Sequence, residues 1–301
     1  MSFSPLASPG ATRAVLEAHG LSAKHRLGQN FLVNDHVIGK IIGLAEPGED
    51  DLVLEVGPGI GTLTCALLPR AKAVVAVEAD GSLAPVLRAT CAAWRDSFAL
   101  VLGDALKVAP DDLGRAAASL DLAGIPALPT MLVANLPYQV AATVILNTLE
   151  AMPSVRRCVC MVQKEVADRI AAPPGTKAYG AYTVKLGLYA QVTGRFEVGP
   201  ANFMPAPHVD SSVVRLDRTT LEDPITGNPL TSEQRAFCAT VVDAAFAQRR
   251  KTIRNSMAAR GFDKAALDAA FEKVGIPATR RAETLSVADF VSLSLVLEEA
   301  S

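Results

Sequence analysis

Residues 52–61 read Leu52-Val53-Leu54-Glu55-Val56-Gly57-Pro58-Gly59-Ile60-Gly61 and decide the fold class of this 301-residue chain. The first half is an apolar run typical of a buried strand. The second half contains three glycines, which permit a sharp turn and a close approach to a ligand. Helical spacing begins at Thr62. This order indicates the first strand, turn and helix of a nucleotide-binding α/β sheet, with a tight turn that binds nothing as the alternative.

Downstream of this stretch, short strand-like runs alternate with helical spacing, as in residues 63–68, 83–94 and 140–149. Strands that alternate with helices predict a parallel, doubly wound sheet. The last two strand-like runs follow each other without a helix, so one of them is expected to be antiparallel at the end of the sheet. The predicted strands are Leu52–Val56, Val74–Val77, Ala99–Leu102, Met131–Ala134, Cys158–Val162, Gln191–Glu197 and Ser212–Leu216.

The sequence pattern changes after Arg218, where strand-like runs give way to turn formers and helical segments. Residues 221–230 are rich in turn formers and predict a linker. Four helical segments follow, at 232–247, 249–259, 264–274 and 287–299, with Ser232 and Ser286 as expected N-caps. We therefore predict an N-terminal extension (1–23), a catalytic domain (24–219), a linker (220–230) and a small all-helical domain (231–301).

Composition limits the classes of function. Hydrophobic residues make up 50% of the chain, yet no run reaches the length that spans a bilayer, and the first ten residues lack the pattern of a signal peptide. The five cysteines are scattered and odd in number, which is typical of buried thiols in a reducing compartment. Four dispersed histidines offer no zinc spacing. We expect a cytoplasmic protein without a metal site or a membrane anchor.

The ligand of the glycine turn follows from the residues around it. A dinucleotide fingerprint requires Gly at position 62, which is Thr, and Pro58 removes an N–H that a phosphate could use. The second strand ends at Glu78, at the spacing of a ribose-binding carboxylate, and the third ends at Asp104, which could bind adenine or simply cap a helix. Acids at three successive strands, without a basic group, suit an unphosphorylated cationic adenosine. S-adenosylmethionine is such a ligand.

The fourth strand ends at Asn135-Leu136-Pro137-Tyr138. An adenine amino group is a poor nucleophile because its lone pair is delocalised into the ring. Hydrogen bonds accepted by the Asn135 amide oxygen and the Leu136 carbonyl would localise that lone pair. Pro137 stiffens the turn, and Tyr138 offers a face on which an extruded base can stack. The alternative is a capped turn beside a half-buried tyrosine.

These motifs together resemble the bacterial small-subunit ribosomal RNA adenine dimethyltransferase family, which has eukaryotic and mitochondrial relatives. The resemblance runs from about residue 24 to residue 295 and is specific as a combination. It implies a Rossmann-like class I methyltransferase sheet, mostly parallel with one antiparallel strand, followed by an all-α domain. The segments that carry it are Leu27–Leu32, Glu55–Gly61, Glu78, Asp104, Asn135–Tyr138, Gln163–Val166, Lys177–Gly180, Asn202–Ser212 and Gln248–Ser256.

The resemblance also implies roles for individual residues. Asn30 and Leu32 would close over S-adenosylmethionine, and Gly57 would line its amino-acid end. Glu78 would hold the ribose and Asp104 the adenine, while Asn135 would lie between cofactor and substrate. The family pattern places Phe203 against the target base, opposite Tyr138. Ala206 stands where many members have Pro, which affects the stiffness of the loop more than the chemistry.

A dense group of cations stands in the second domain. Arg249, Arg250, Lys251 and Arg254 lack acids at i+4 spacing, so an anionic partner would relieve their repulsion. A solvated helix face is the alternative. Because the net charge of the chain is only −2, we expect a local contact with RNA phosphates and not a wholly basic surface. Lys24 and Arg26 are further candidates.

The sequence thus predicts a monomeric enzyme that dimethylates the N6 amine of adenines in small-subunit (16S) ribosomal RNA, with the small ribosomal subunit as its partner. Two alternatives stay open: a methyltransferase for the large subunit, and a ribosome-assembly or transcription factor on the same fold with little catalysis. A nicotinamide dehydrogenase is disfavoured by Thr62.

Overall fold

The structure is a computed structural model that describes residues 2–24, 29–224 and 226–299. The chain divides into two compact units, one formed by Met1–Ala167 with Val192–Arg218 and the other by Asp168–Gln191 with Thr219–Ser301. Among the described residues, no helix is long and apolar enough to cross a membrane. All five cysteines are free and buried.

A seven-stranded sheet forms the centre of the first unit. Its strands are β2 (Leu52–Val56), β3 (Ala73–Glu78), β4 (Phe98–Leu102), β5 (Met131–Asn135), β6 (Arg157–Gln163), β7 (Ala190–Val198) and β9 (Ser211–Arg218), in the order β4-β3-β2-β5-β6-β9-β7. The first five strands pair in parallel, and β9 runs antiparallel to β6. All seven predicted strands are present. The antiparallel strand β9, however, lies inside the sheet, and β7 forms the edge.

The helices of the first unit cover both faces of this sheet. They are α1 (Pro9–Ala18), α2 (Asp35–Ala45), α3 (Thr64–Leu67), α4 (Ala84–Thr90), α5 (Pro110–Ala118) and α6 (Ala141–Ala151); α7 (Lys164–Ile170) follows β6. Helix α5 packs on β3 and β4, while α2 packs on β6 and β9. Strands β2, β3, β5 and β6 are largely apolar and buried, whereas the edge strands β4 and β7 are partly exposed.

Residues 1–23 were predicted to be an extension, but their described part packs on the first unit. Leu6 and Leu16 are buried in the same apolar cluster as Ile38 of α2. The Asp35 carboxylate accepts hydrogen bonds from the backbone nitrogens of Phe3 (2.9 Å) and Ser4 (2.8 Å), which fixes the start of the chain to this helix.

A second, two-stranded sheet joins distant parts of the first unit. Strand β1 (Phe31–Leu32) pairs antiparallel with β8 (Phe203–Met204), so that Leu32 lies opposite Phe203. Two-residue strands carry no periodicity, and the sequence therefore did not predict this sheet.

The second unit is helical. It contains α8 (Ala181–Gly187), α9 (Ser232–Phe246), α10 (Ile253–Ala258), α11 (Lys264–Lys273) and α12 (Val287–Glu299), and α9 contacts α8, α10 and α12. Residues 168–191 were placed in the first domain by the sequence, yet they belong to this unit. Tyr179 is buried in its core and donates a hydrogen bond to the Leu285 carbonyl, 2.7 Å away.

Helix α9 starts at Ser232 as predicted, but its predicted N-cap and the predicted start of α10 were wrong for identifiable reasons. Helix α9 is capped by Thr231 and not by Ser232, because only the spacing of Thr231 and Gln234 allows both side chains to bond the other's backbone nitrogen. Helix α10 begins at Ile253 and not at Arg249, because Thr252 caps it. Ser286 caps α12 as predicted, with its hydroxyl accepting from Asp289 N at 3.1 Å.

Candidate active site

A cleft lies at the carboxyl ends of β2, β3, β4 and β5, where parallel strands present their following loops to one another. It gathers nine of the ten residues for which the sequence predicted a role in cofactor binding or catalysis. These are Asn30, Leu32, Gly57, Glu78, Asp104, Asn135, Leu136, Pro137 and Tyr138. Phe203 does not line the cleft.

Three glycines of the turn after β2 have positive φ: +71° at Gly57, +62° at Gly59 and +90° at Gly61. L-residues rarely adopt this conformation, so the sequence requires glycine here for the turn itself. The turn is also crowded from outside. A Cβ atom on Gly59 would lie 3.2 Å from the Phe31 ring. The backbone of the turn thus borders the cleft and also packs against the Phe31 ring.

Glu78 occupies the end of β3 and is only 7% exposed. Its carboxylate accepts hydrogen bonds from Asp80 N (2.9 Å) and Gly59 N (3.3 Å), which ties the glycine turn to the neighbouring strand. Burial raises the pKa of Glu78, and those two backbone hydrogen bonds oppose the rise. Because it lines the cleft and fixes the turn, Glu78 has a structural contact in addition to the predicted contact with ribose.

Glu55 of β2 is a second buried acid beside the cleft. Burial raises the pKa of its carboxyl group to about 8, although a 2.6 Å hydrogen bond from the Thr64 hydroxyl lowers it. Nearby Cys91 and Glu78 add to the rise. A desolvated carboxyl group of this kind favours a cationic neighbour, which would stabilise its ionised form.

Asp104, after β4, is exposed and borders the other end of the cleft. One of its carboxylate oxygens accepts from Leu106 N at 3.0 Å within a turn, and Asp104 does not cap a helix, because α5 begins at Pro110 with Ala109 as its N-cap. A carboxylate has further acceptor positions, so this bond leaves capacity for an adenine amino group.

Asn135 ends β5, and its side-chain amide nitrogen donates to the Asn30 carbonyl oxygen at 3.3 Å. Since the nitrogen is used in this way, the amide oxygen is the atom left to accept from a substrate amine. The following Leu136 is buried, and its backbone nitrogen donates to the Met161 carbonyl of β6 at 3.1 Å. The start of the Asn135–Tyr138 turn is therefore fixed by two strands.

Tyr138 is half-buried at the edge of the cleft. Its hydroxyl lies 2.6 Å from the Ser211 hydroxyl, which fixes the position of the ring. Burial raises the pKa of Tyr138, against a lowering by Ser211. The sequence did not predict this pair, because nothing in the pattern relates two residues that are 73 positions apart.

Phe203 is 5% exposed and belongs to the apolar cluster that contains Phe31 and Leu32. It is paired in β8 opposite Leu32, which does line the cleft. A contact between Phe203 and a target base stays a prediction.

The segment before β1 is fastened by Asp80, which the sequence analysis missed. Lys24 Nζ lies 2.8 Å from Asp80 Oδ1, and Gln29 Nε2 lies 3.0 Å from Asp80 Oδ2. Burial raises the pKa of Asp80, but the bonds from Lys24, Ser82 and Gln29 outweigh it and lower the pKa to about 2. Lys24, a candidate for RNA contact, is thus neutralised. Arg26, Leu27 and Gly28 lie outside the described residues.

The cationic group of the second unit is divided by its contacts. Arg254 forms an ion pair with Asp268 of α11, with N–O distances of 2.5 and 2.6 Å, so its charge is compensated, contrary to expectation. The Arg249 guanidinium donates to the Lys177 carbonyl at 2.7 Å. Arg250 and Lys251 are exposed in the turn before α10. The structure thus places three of the four cations before the helix and not on its face.

The cleft fits the expected cofactor by its chemistry. No Lys, Arg or His stands among the described residues that line it, which is unsuitable for a pyrophosphate, whereas two buried carboxyl groups suit a cation. Elsewhere in the described ranges, no group of three or more His, Cys, Asp or Glu side chains is arranged to hold a metal ion.

Comparison with known proteins decides the family. The model of the family described as ribosomal RNA adenine dimethylase matches residues 20–299. The chain belongs to this family. As a dimethylase-family member, it is 44% identical over 293 residues to a protein named ribosomal RNA small subunit methyltransferase A from Streptomyces griseus, with 96% of this chain and 94% of the relative covered. A Rhodococcus opacus protein of the same name is 41% identical over 293 residues, with the same coverage.

Solved structures show that the dimethylase fold extends over nearly the whole chain. A dimethyladenosine transferase from Plasmodium falciparum has a TM-score of 0.72 at 24% identity, covering 89% of this chain and 98% of that chain. A 23S rRNA methyltransferase has a TM-score of 0.65 at 24% identity, covering 89% of this chain and all of that chain. Both likenesses concern the fold alone.

Proposed function

We propose that this protein transfers methyl groups from S-adenosylmethionine to the N6 amine of adenines in small-subunit ribosomal RNA, and modifies each target adenine twice. One observation carries the proposal: the cleft joins the acids Glu78 and Asp104 to the Asn135–Tyr138 turn. Glu78 and Asp104 suit an adenosine cofactor. The Asn135–Tyr138 turn provides acceptors and an aromatic face for a substrate adenine. The names of relatives that are 41–44% identical favour the small subunit as the substrate.

Each of these residues of the cleft would contact a different part of the cofactor. Glu78 accepts from the ribose hydroxyls, Asp104 from the adenine amino group, and Gly57 leaves room for the amino-acid end. Asn30 and Leu32 cover the bound molecule. When bound, S-adenosylmethionine supplies a methyl group activated by a sulfonium centre.

The substrate amine would be oriented by this chain's own acceptors. The Asn135 amide oxygen and the Leu136 carbonyl accept the two N–H bonds of the amine and direct its lone pair out of conjugation with the ring. Asn135 is preorganised, because its nitrogen is already bonded to the Asn30 carbonyl. Tyr138 is held by Ser211 and offers its ring for stacking. Alignment of this kind contributes more to a direct displacement than a strong base does.

The experiment that tests the proposal uses purified small and large ribosomal subunits that lack the modification, with cofactor labelled in its methyl group. We expect label in the small subunit only, at adenines that mapping shows to carry two methyl groups. Label in the large subunit would support the alternative of a large-subunit methyltransferase. Tight binding to small subunits without any label would support an assembly factor. We further propose that the enzyme is cytoplasmic, because its ribosomal substrate is found there. We also propose that it is monomeric, which sedimentation of the purified protein would check.

A further inference from the structure

The hydroxyl group of Thr62 lacks a partner. Thr62 follows the glycine turn directly, is 6% exposed and lines the cleft. Within the part of the chain that the structure describes, its Oγ1 is the one buried side-chain oxygen without a hydrogen bond. A buried hydroxyl that is left unpaired destabilises the folded protein, because it has lost its hydrogen bonds to water. Such an atom at the wall of a cleft indicates a partner that arrives with a ligand.

Neighbouring hydroxyl groups are all satisfied, which makes Thr62 the exception. The Thr64 hydroxyl donates to Glu55 at 2.6 Å, and the Thr90 hydroxyl donates to the Ile60 carbonyl at 3.0 Å. These two hydrogen bonds stabilise the glycine turn and the strand before it. The Thr62 hydroxyl makes no comparable bond within the turn.

The chemistry of the cleft indicates which group that is. The amino-acid end of S-adenosylmethionine carries a carboxylate, which requires hydrogen-bond donors. Among the described residues that line the cleft there is no Lys, Arg or His to supply them. Among the side-chain amides that line the cleft, those of Gln29 and Asn135 already donate to Asp80 and to the Asn30 carbonyl, Asn30 also has a partner, and Gln139 is exposed. The Thr62 hydroxyl is a donor with its proton still available.

We propose that the Thr62 hydroxyl donates a hydrogen bond to the carboxylate of the cofactor's amino-acid end. This inference rests on the proposed function, because it takes the cofactor to be S-adenosylmethionine. Glu78, whose carboxylate already accepts from two backbone nitrogens, suits the cationic part of the molecule. Thr62 therefore complements it by binding the anionic part, at a position where the dinucleotide-binding fingerprint has glycine.

The test compares Thr62→Val, which keeps the shape of the side chain and removes the hydroxyl, with the wild-type protein. Isothermal calorimetry measures the affinity for S-adenosylmethionine and for decarboxylated S-adenosylmethionine, which lacks only the carboxylate. We expect Thr62→Val to weaken binding of the first by about tenfold or more, as for a hydrogen bond to a charged group, and to leave the second unchanged. Thr62→Ser, which retains the hydroxyl, should restore most of the affinity.

A second readout does not depend on binding. Without ligand, Thr62→Val should melt at a higher temperature than the wild type, because an unpaired buried hydroxyl is removed. Thr12→Val is the matched control: Thr12 is fully buried, and its hydroxyl donates to the Leu6 carbonyl at 3.1 Å. That variant should melt at a lower temperature and bind both molecules normally.

The possible outcomes separate this inference from the proposed function. If wild-type protein binds neither molecule, the proposed function fails. If wild-type protein binds and Thr62→Val binds equally well, the role of Thr62 is overturned. An equal loss of affinity for both molecules would overturn the assignment to the carboxylate. Should Thr62→Val fold poorly, the affinity of Thr62→Ala for the same two molecules decides the question in its place.

Discussion

Gly57 lies against the ring of Pro137: a Cβ atom built on Gly57 would be 3.3 Å from both Cδ and Cγ of that proline. Gly57 belongs to the turn expected to hold the cofactor, and Pro137 to the turn expected to hold the target adenine. The two turns therefore share a contact surface that has no space for a side chain. A change in one is transmitted directly to the other.

Gly57→Ala should consequently impair both stability and binding. The residue has φ of +71°, where alanine is strained, and its new methyl group would press on Pro137. We expect a loss of about 1–3 kcal/mol in the free energy of unfolding, measured by chemical denaturation, together with weaker cofactor binding. Gly43→Ala in α2 is the control. It meets no atom within 4 Å and should stabilise the helix. Equal stabilities of the two variants would contradict the argument.

Glu55 should make stability depend on pH. Its pKa is raised by burial from 4.5 to about 8, so between these values the folded state holds a proton that the unfolded state has lost. The stabilisation is fully present below pH 4.5 and is lost as the pH rises through about 8. The Glu55 contribution to the free energy of unfolding should fall with pH by up to about 1.4 kcal/mol per unit in this window. Denaturation of the wild type and of Glu55→Gln at several pH values measures it, and parallel curves would show that Glu55 does not titrate in this way.

Asn135 should affect chemistry more than binding. Asn135→Ala removes the amide oxygen that we propose accepts from the substrate amine, and we expect the rate of methyl transfer to fall by roughly 10²–10³, as when a preorganised donor is lost from an oxyanion hole. Single-turnover kinetics with saturating cofactor and small subunits measures the rate, and the affinity for small subunits should change little. A rate near that of the wild type would rule out the proposed orientation of the amine.

Two substitutions of Tyr138 distinguish the contribution of its ring from that of its hydroxyl. Tyr138→Phe loses the 2.6 Å bond to Ser211 but keeps the stacking face, whereas Tyr138→Ala loses both. If a base stacks on the ring, Tyr138→Ala should reduce kcat/KM by about 5–150-fold, the equivalent of 1–3 kcal/mol, and Tyr138→Phe by much less. Equal losses in the two variants would assign the effect to the hydrogen bond with Ser211.

The cations of the second unit should differ in their effects on RNA binding and on stability. Arg250 and Lys251 are exposed, while Arg254 is paired with Asp268. Replacing Arg250 and Lys251 with Ala should weaken binding to small subunits and flatten the slope of log affinity against log salt by roughly 0.7 per lost single-strand contact. Arg254→Ala should lower the melting temperature and leave that slope closer to the wild-type value.

The control for this experiment is cofactor affinity, which neither variant should alter. An unchanged salt slope in the Arg250, Lys251 double variant would count against phosphate contacts in this turn. A large change of slope in Arg254→Ala would show that its ion pair with Asp268 opens when RNA binds.

Strands β2, β3 and β5 were predictable because they are short, mostly apolar and buried runs, with clear boundaries at Gly57, Glu78 and Asn135. Glu78, Asp104 and Asn135 were predicted in one cleft for a simple geometric reason: parallel strands share their carboxyl edge. The contacts of Asp80 and Ser211 and the pairing of Leu32 with Phe203 depend on tertiary structure and leave no local pattern. The same holds for Arg254, whose partner is 14 residues away, beyond the i+4 spacing that sequence reasoning considers.

The pairing of β1 with β8 has a consequence for biosynthesis. Leu32 leaves the ribosome early, but its partner Phe203 is made about 170 residues later. The cover of the cleft is therefore incomplete on the nascent chain until about two thirds of the protein has been translated. Non-local pairing of this kind forms late because the intervening chain must first be ordered. Strand β9, which lies between β6 and β7, follows Phe203 in the chain, so the seven-stranded sheet and the pairing of β1 with β8 are both completed only in the last third of synthesis.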